Sequence, residues 1–422
     1  MAKEQHPRHF YGWKIVATST LLSFAQTTTF NPILSVFIKP MTLELGWSRA
    51  AISGAVSAGS FVGGLLSFVI GPMVDRRGAR VVLVASVSIL GFCLILLSHF
   101  SALWQFYLLF GLGRALSVGI IEVSALVAVS NWFIRRRGRA IGMVNSGTRM
   151  GQALLPLFAQ MLILAQGWRW GWIGLAVIAW TLGILPTALF MKRRPEDLGL
   201  LPDGEPANPA TSGASIQARP EPIWTARTAI KTSAFWLITV AFAQTFMATG
   251  GINLHQFPHL TDMGISPSVA VGAITTVSIC ATVGGIFWPT LAERLDVRYC
   301  LALTLVTSAF GIFVLMSVRS IPLAYVYAVT YGFTYGGLFP LFGLAQANYF
   351  GRTSLAAIRG LAQPFLMTAN ALGPLLAGWI YDLARSYKVA FSVFIAAYLL
   401  SVLWVLLAKP PISDNERFAA SR

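Results

Sequence analysis

The sequence predicts an all-α integral membrane protein with twelve transmembrane helices in two six-helix halves. Three observations predict it: scarce charge, evenly spaced apolar runs of span length, and one long Pro-rich interruption at the centre. Of 422 residues, 31 are Lys or Arg and 15 are Asp or Glu, 11% charged in all, while 56% are hydrophobic. Soluble domains average roughly 25% charged residues, and no globule of this size has interior enough to hide so much apolar surface. Lipid is the solvent that remains.

A membrane-crossing helix needs about 20 mostly apolar residues. Runs bounded by charge, Gly or Pro place spans at roughly 13–39, 48–71, 79–98, 102–133, 139–165, 169–191, 232–259, 267–291, 299–318, 322–349, 354–383 and 389–408. With both termini on one side, 23 of the 31 basic residues fall on that side, six fall opposite, and Arg114 and Arg149 lie within spans. The positive-inside rule then puts both termini in the cytoplasm, and the membrane expected is the plasma (inner) membrane. The net charge of +16 is thereby a topology signal. Its residues form no stripe interleaved with aromatics, so nucleic acid is not an expected partner. The first apolar run is of span length without a small-residue cleavage site, so no signal peptide is expected.

The stretch 192–231 holds Pro195, Pro202, Pro206, Pro209, Pro220 and Pro222, a linker composition, and divides the chain into halves at 1–191 and 232–422. The halves match at one constant offset: Pro40 falls on Pro258, Gly46 on Gly264, Asp75-Arg76 on Glu293-Arg294, Gly119 on Gly337 and Pro156 on Pro374. A duplicated six-span unit with a central linker is the sequence form of two parallel repeats around a midplane site.

Five segments carry a resemblance. Gly71-Pro72-Met73-Val74-Asp75-Arg76-Arg77-Gly78-Ala79-Arg80 resembles the loop signature of the major facilitator superfamily, and Arg114 followed by Gly119 resembles its buried arginine motif. Tyr11-Gly12-Trp13-Lys14, Phe133 to Gly142 continuing to Gly147 and Gly151, and Arg194-Pro195-Glu196-Asp197-Leu198-Gly199 are similar to the bacterial monocarboxylate porter branch and its oxalate/formate antiporter-like relatives. The resemblance implies alternating access, with the first, fourth, seventh and tenth spans lining the cavity. It also implies a latch at Gly71, Asp75 and Arg76 and at Glu293 and Arg294. The chain departs from the branch where substrate and proton residues are expected: the lysine position of the first span falls on Pro32 beside Asn31, and the Asp and Arg positions of the eighth span fall on Gly284 and Trp288. The cations that oxalate/formate-type relatives carry in the eighth and eleventh spans are read as missing.

Charges inside the membrane are costly and must face a partner or a cavity. Glu122 lies about 20 Å and Arg149 about 15 Å from the terminal-side ends of their spans. The two either pair between adjacent helices, or Arg149 offers its fork to a substrate carboxylate while Glu122 holds Arg149 or binds the coupling proton. Arg114, eight residues before Glu122, is expected about 80° around the helix and about 12 Å along it, as a site group or a packing group. His255 is a candidate for proton coupling or a polar cap at the outer mouth. It shares a face with His259, but no third ligand accompanies them, so no metal is expected. Further candidate lining groups are Gln26, Asn31, Asn253, Tyr331, Tyr335, Gln363 and Asn370. The three cysteines have no metal or disulfide spacing. No nucleophile elbow, phosphate loop or paired carboxylates indicate an enzyme, and no cofactor is expected.

The function expected is secondary active transport of small organic anions, monocarboxylates foremost, by proton-coupled symport or anion exchange in a functional monomer within the lipid bilayer. The alternative is an efflux antiporter for drugs or hydrophobic metabolites.

Overall fold

The computed structural model describes residues 10–133, 136–201, 203, 224–351 and 355–411. Twelve long helical rods account for nearly all of them: α1 Gly12–Leu45, α2 Arg49–Arg77, α3 Ala79–Leu96, α4 Leu103–Trp132, α5 Arg137–Gln166, α6 Trp168–Phe190, α7 Ser233–Asp262, α8 Pro267–Leu291, α9 Val297–Met316, α10 Ile321–Phe350, α11 Leu355–Ala384 and α12 Lys388–Leu407. Among the described residues, nine are long and apolar enough to cross a membrane by length and hydropathy alone. Of the other three, α5 is diluted by Arg139, Asn145, Arg149 and Gln152, and α10 by its Tyr and Gly residues.

The rods repeat as the constant offset between the halves requires. Arg137–Gln166 maps onto Leu355–Ala384, and Leu103–Trp132 maps onto Ile321–Phe350 to within a residue at either end. Packing repeats as well. Each half pairs its first rod with its fifth, and its third with its fourth and sixth. Small residues carry the close approaches: a Cβ on Gly63 would meet the Ala115 backbone, and one on Gly336 would meet the Ala281 backbone. On α5, a Cβ at Gly147 would strike the Thr20 carbonyl and one at Gly151 the Phe24 carbonyl, so α1 and α5 touch backbone to backbone.

By contacts the chain divides into two compact units, residues 1–33 with 58–214 and residues 34–57 with 215–422. The stretch Leu34–Ser57, the end of α1 and the start of α2, packs with the second unit.

Three rods depart from regular helix, among them α6, with a π-helical turn at Ala179–Ile184. α1 is interrupted: a 3₁₀ turn over Thr27–Thr29 leads to Phe30 in extended conformation (φ −79°, ψ 156°), and helix resumes at Asn31. Pro32 causes the break, since it has no N–H to give the preceding turn and its ring collides with the carbonyl four residues back. The single first span expected at 13–39 is thus two half-helices, with the second running on to Leu45. α4 contains a π-helical turn at Leu116–Ile121, a feature often found at functional sites.

Candidate functional site

The first unit centres on Arg114. Its Nη1 donates to the Thr29 carbonyl at 2.9 Å and its Nε to Ser60 Oγ at 3.1 Å, and its guanidinium lies 4.9 Å from the Phe30 ring centroid. Thr29 Oγ1 in turn donates to Ser117 Oγ at 3.1 Å. The broken first span releases carbonyls from helical pairing, and the buried arginine takes one of them. Arg114 thus bridges the α1 break to α2 through Thr29 and Ser60.

Glu122 has Arg114 as its electrostatic partner. Regular helix would hold these two about 80° apart. The π turn between them inserts one extra residue, so eight residues behave as seven, about 700°, which returns Glu122 to within about 20° of the Arg114 face. Glu122 is accessible, whereas Arg114 is only 7% exposed. Arg149 is half-buried on α5. Gln26 and Asn31 are buried on the two sides of the α1 break, and among the described residues the oxygens Gln26 Oε1 and Thr28 Oγ1 have no hydrogen-bond partner.

The second unit holds a larger polar cluster where α1 ends and α2 begins. Arg49 Nη1 stands 2.7 Å from Asp262 Oδ2 at the end of α7 and donates at 2.7 Å to Tyr387 Oη. Its guanidinium stacks 3.8 Å from the Tyr381 ring centroid. Lys39 Nζ approaches Asp262 Oδ1 at 3.4 Å. Asp382 of α11 accepts the backbone N–H groups of Arg49 at 3.0 Å and Ala50 at 2.8 Å, so a carboxylate from a distant rod caps the start of α2. Gly378 admits that approach, because a Cβ there would meet the Arg49 and Ala50 backbone. Ser57 Oγ donates to the Ala371 carbonyl. A cavity of about 410 Å³, lined by Lys39, Trp47, Arg49, Asp262, Asp382 and Arg385, opens over the cluster.

His255 lies beneath it, fully buried. Its Nδ1 is 2.9 Å from Tyr387 Oη, and its Nε2 is 2.9 Å from the Pro374 carbonyl and 3.1 Å from Ser53 Oγ. It is a packed junction and not an exposed cap at a mouth. His259 is likewise committed, with Nε2 2.9 Å from the Leu315 carbonyl. Burial pushes the Tyr387 phenol well above its ordinary value, with Arg49 pulling it back, so Tyr387 stays protonated as a donor.

The remaining candidates scatter along the second unit. Tyr331 and Tyr335 belong to a ladder on α10: Tyr327, Tyr331 and Tyr335 stack at 5.6 and 5.8 Å, and Phe339 closes it edge-on at 5.8 Å. Asn253 is buried on α7. Asn370 Nδ2 donates to the Phe246 carbonyl at 3.3 Å and joins α11 to α7. Gln363 is half-buried beside Arg359. That arginine, sorted with the loops on sequence grounds, stands inside α11, so the eleventh rod does carry a cation. Glu293 and Arg294 are exposed in the turn after α8. The side chains of residues 71–77 lie outside the described part of the structure, so Gly71, Asp75 and Arg76 are placed only by the backbone of the end of α2.

Sequence reasoning passed over Arg49, Tyr387 and Asp382. A signal existed: acids are so few on the side opposite the termini that Asp262 and Asp382 stand out as partners for its cations.

Duplicated six-rod halves, charge-poor rods and buried polar junctions at helix breaks define a polytopic membrane transporter. The profile of the Major Facilitator Superfamily matches residues 16–276 and 257–421, and the chain belongs to that family. It is 24% identical over 427 residues to monocarboxylate transporter 12 of Rattus norvegicus, covering 94% of this chain and 85% of the relative. It is also 24% identical to monocarboxylate transporter 13 of Rattus norvegicus, covering 100% and 94%. Among solved structures, a bacterial homologue of the human lysosomal transporter Spinster, inward-facing and unoccupied, superposes with a TM-score of 0.68 at 15% identity over 97% of this chain and 96% of its own, a likeness of fold.

Proposed function

We propose that this transporter carries small organic anions, monocarboxylates foremost, by proton-coupled symport or anion exchange. The observation that carries the reading is full-length similarity to two monocarboxylate transporters. Two arginines, Arg114 and Arg149, lie within the spans of the first unit, and a guanidinium fork matches a carboxylate in shape and charge. Arg149 is then the carboxylate-binding fork, Arg114 the residue that holds the α1 break open beside it, and Gln26 and Asn31 the polar groups at that break. In this reading Asn253, Tyr331, Tyr335 and Asn370 are the substrate-binding groups of the second unit, and Gly71, Asp75 and Arg76 of the first unit and Glu293 and Arg294 of the second are latch residues.

Glu122 is the proton-coupling residue of this reading, with His255 as a second titrating group beneath the Arg49 cluster. Breaking that cluster releases the start of α2 from α7 and α11, the movement an opening outer face requires.

Uptake of labelled acetate, L-lactate, pyruvate and benzoate into proteoliposomes, with and without an imposed pH gradient, tests the proposal. Accumulation of at least one, abolished in Arg149→Gln, is expected. Failure to move any carboxylate, together with export of hydrophobic compounds on overexpression, would replace it with the efflux reading.

A further inference from the structure

The first half has nothing that corresponds to one polar cluster of the second. The repeat pairs Gly343, Gln346, Arg359 and Gln363 with Ala125, Ala128, Ile141 and Asn145. In place of two alanines and an isoleucine, the second unit puts a glycine, a glutamine and an arginine where α10 ends and α11 begins. Packing alone needs none of them, since the duplicated rods associate in the first unit with apolar residues at those positions.

The geometry is that of a held fork. Arg359 Nε donates to Gln346 Oε1 at 3.1 Å, and Gln346 is only 7% exposed, so one edge of the guanidinium is fixed by a buried amide from the neighbouring rod. The plate lies over Gly343, where any Cβ would collide with Nη2. Among the described residues no carboxylate forms an ion pair with Arg359. A cavity of about 150 Å³ adjoins it, lined by Arg359, Gln346 and Gln363 on the polar side and Phe242, Phe339 and Leu366 on the apolar side. At about 30 Å³ per water, that volume holds about five waters, room for a carboxylate and a short carbon body. A guanidinium with one edge already engaged still presents N–H groups to carboxylate oxygens, an amide beside it adds a donor, and aromatic walls receive the apolar end. Arg359 is four residues into α11, about 6 Å from its start. The positive-inside reading makes this end cytoplasmic.

We propose that Arg359, Gln346 and Gln363 form a second small-carboxylate site at the linker-side end of the second unit, where the transported anion dwells on its way to or from the cytoplasm. The inference rests on the monocarboxylate reading above. The site is distinct from the Arg149 region of the first unit and gives the carrier different affinities on its two faces.

The test compares wild type, Arg359→Gln, Arg359→Lys and Gly343→Ala. The half-saturation concentrations for acetate, L-lactate, pyruvate and benzoate are measured from each face in oriented proteoliposomes, and their binding to purified protein by calorimetry. Arg359→Gln is expected to raise the linker-face value at least tenfold and leave the opposite-face value within twofold. Gly343→Ala, which keeps the charge but displaces the plate, should shift the same face in the same direction. Arg359→Lys serves if the Gln variant does not fold, and should lose most of the effect of the fork. An unchanged linker-face value, or an equal shift on both faces, overturns the site. If wild type transports none of the four anions, the monocarboxylate reading fails by itself. Calorimetry then decides the site: carboxylate binding lost in Arg359→Gln upholds it, and binding that is absent or unaltered overturns it.

Discussion

Arg49 Nη1 stands 2.7 Å from Asp262 Oδ2, and the same guanidinium reaches Tyr387 and stacks on Tyr381. The two residues lie at the start of α2 and the end of α7, and each is among the few charges on its side of the membrane. Their pairing ties the opening turn of α2 to α7, α11 and the turn before α12. Asp262→Asn leaves a guanidinium that is 4% exposed with its charge unanswered. With Asp262 about a quarter exposed, the loss should destabilise the closed cluster by about 2–4 kcal/mol. A cysteine placed at Ser53 should then react with a membrane-impermeant maleimide many times faster than in the parent, and an unchanged rate would show that the pair does not hold this end shut.

Asp382 acts on the same turn through the backbone. Removing its oxygens in Asp382→Ala should cost about 1–2 kcal/mol, the range of a lost helix cap, and Asp382→Asn less, since one acceptor survives. Hydrogen exchange at the Arg49 and Ala50 amides reports it directly. These amides should exchange faster in Asp382→Ala than in Asp382→Asn, with amides in the middle of α9 unaffected.

Arg114 and Glu122 form a pair that the π turn brings onto one face. Arg114→Gln removes the brace on the Thr29 carbonyl and leaves Glu122 without its partner. Glu122→Gln alone leaves Arg114 its contacts to Thr29, Ser60 and Phe30. A double-mutant cycle on melting temperature should therefore show coupling of about 0.5–3 kcal/mol. Transport should fall more than tenfold in Arg114→Gln and should not be restored in the double variant, because the break stays unbraced. Additive stabilities would remove the electrostatic half of this account.

Gly151 sits where α1 and α5 touch. Its added Cβ would meet Thr27 Oγ1 and the Phe24 carbonyl just before the α1 break. Gly151→Ala should destabilise by about 1–3 kcal/mol as the rods are forced apart. Gly142→Ala, with nothing within 4 Å of its new Cβ, should be neutral or slightly stabilising in the same thermal assay.

Asp296 offers a pH handle outside the spans. It caps α9 by accepting the Arg298 N–H at 2.9 Å, and the Arg298 side chain holds its carboxyl below the usual carboxylate range. Its folded pKa being depressed, the contribution is present above the unfolded value of about 3.9 and is lost as pH falls through the lower folded value. Melting curves between pH 3 and 6 should show Asp296→Asn converging on wild type at the acid end. A constant difference across that range would contradict the sign.

Much of the fold was legible because its signals are local. A span declares itself by a long unbroken run of apolar residues, and the duplication by matches such as Asp75-Arg76 with Glu293-Arg294, neither of which depends on what packs against what. The site was less legible. The contact of Arg114 with the Thr29 carbonyl depends on the Pro32 break, which its place in the fourth span does not reveal. The angle of Arg114 to Glu122 differs from the regular-helix value because of a π turn, which leaves no mark in composition. For His255 the sequence offers proton coupling or a polar cap at the outer mouth, and the partners Ser53, Pro374 and Tyr387 come only from packing between rods. Arg359 stands only four residues into its rod, where apolar patterning does not separate a span residue from a flanking loop charge.

The sequence by itself determined that this chain lives in a bilayer as twelve rods in two repeats, because hydropathy and helical hydrogen bonding are settled within each segment. Only the tertiary structure decided which of the scarce charges meet. Arg49 with Asp262 and Tyr387, Asp382 with the start of α2, and Arg359 with Gln346 are all joined across rods. In a low-dielectric interior such pairings are set by packing, since a charge there must find its partner wherever the helices bring one within reach.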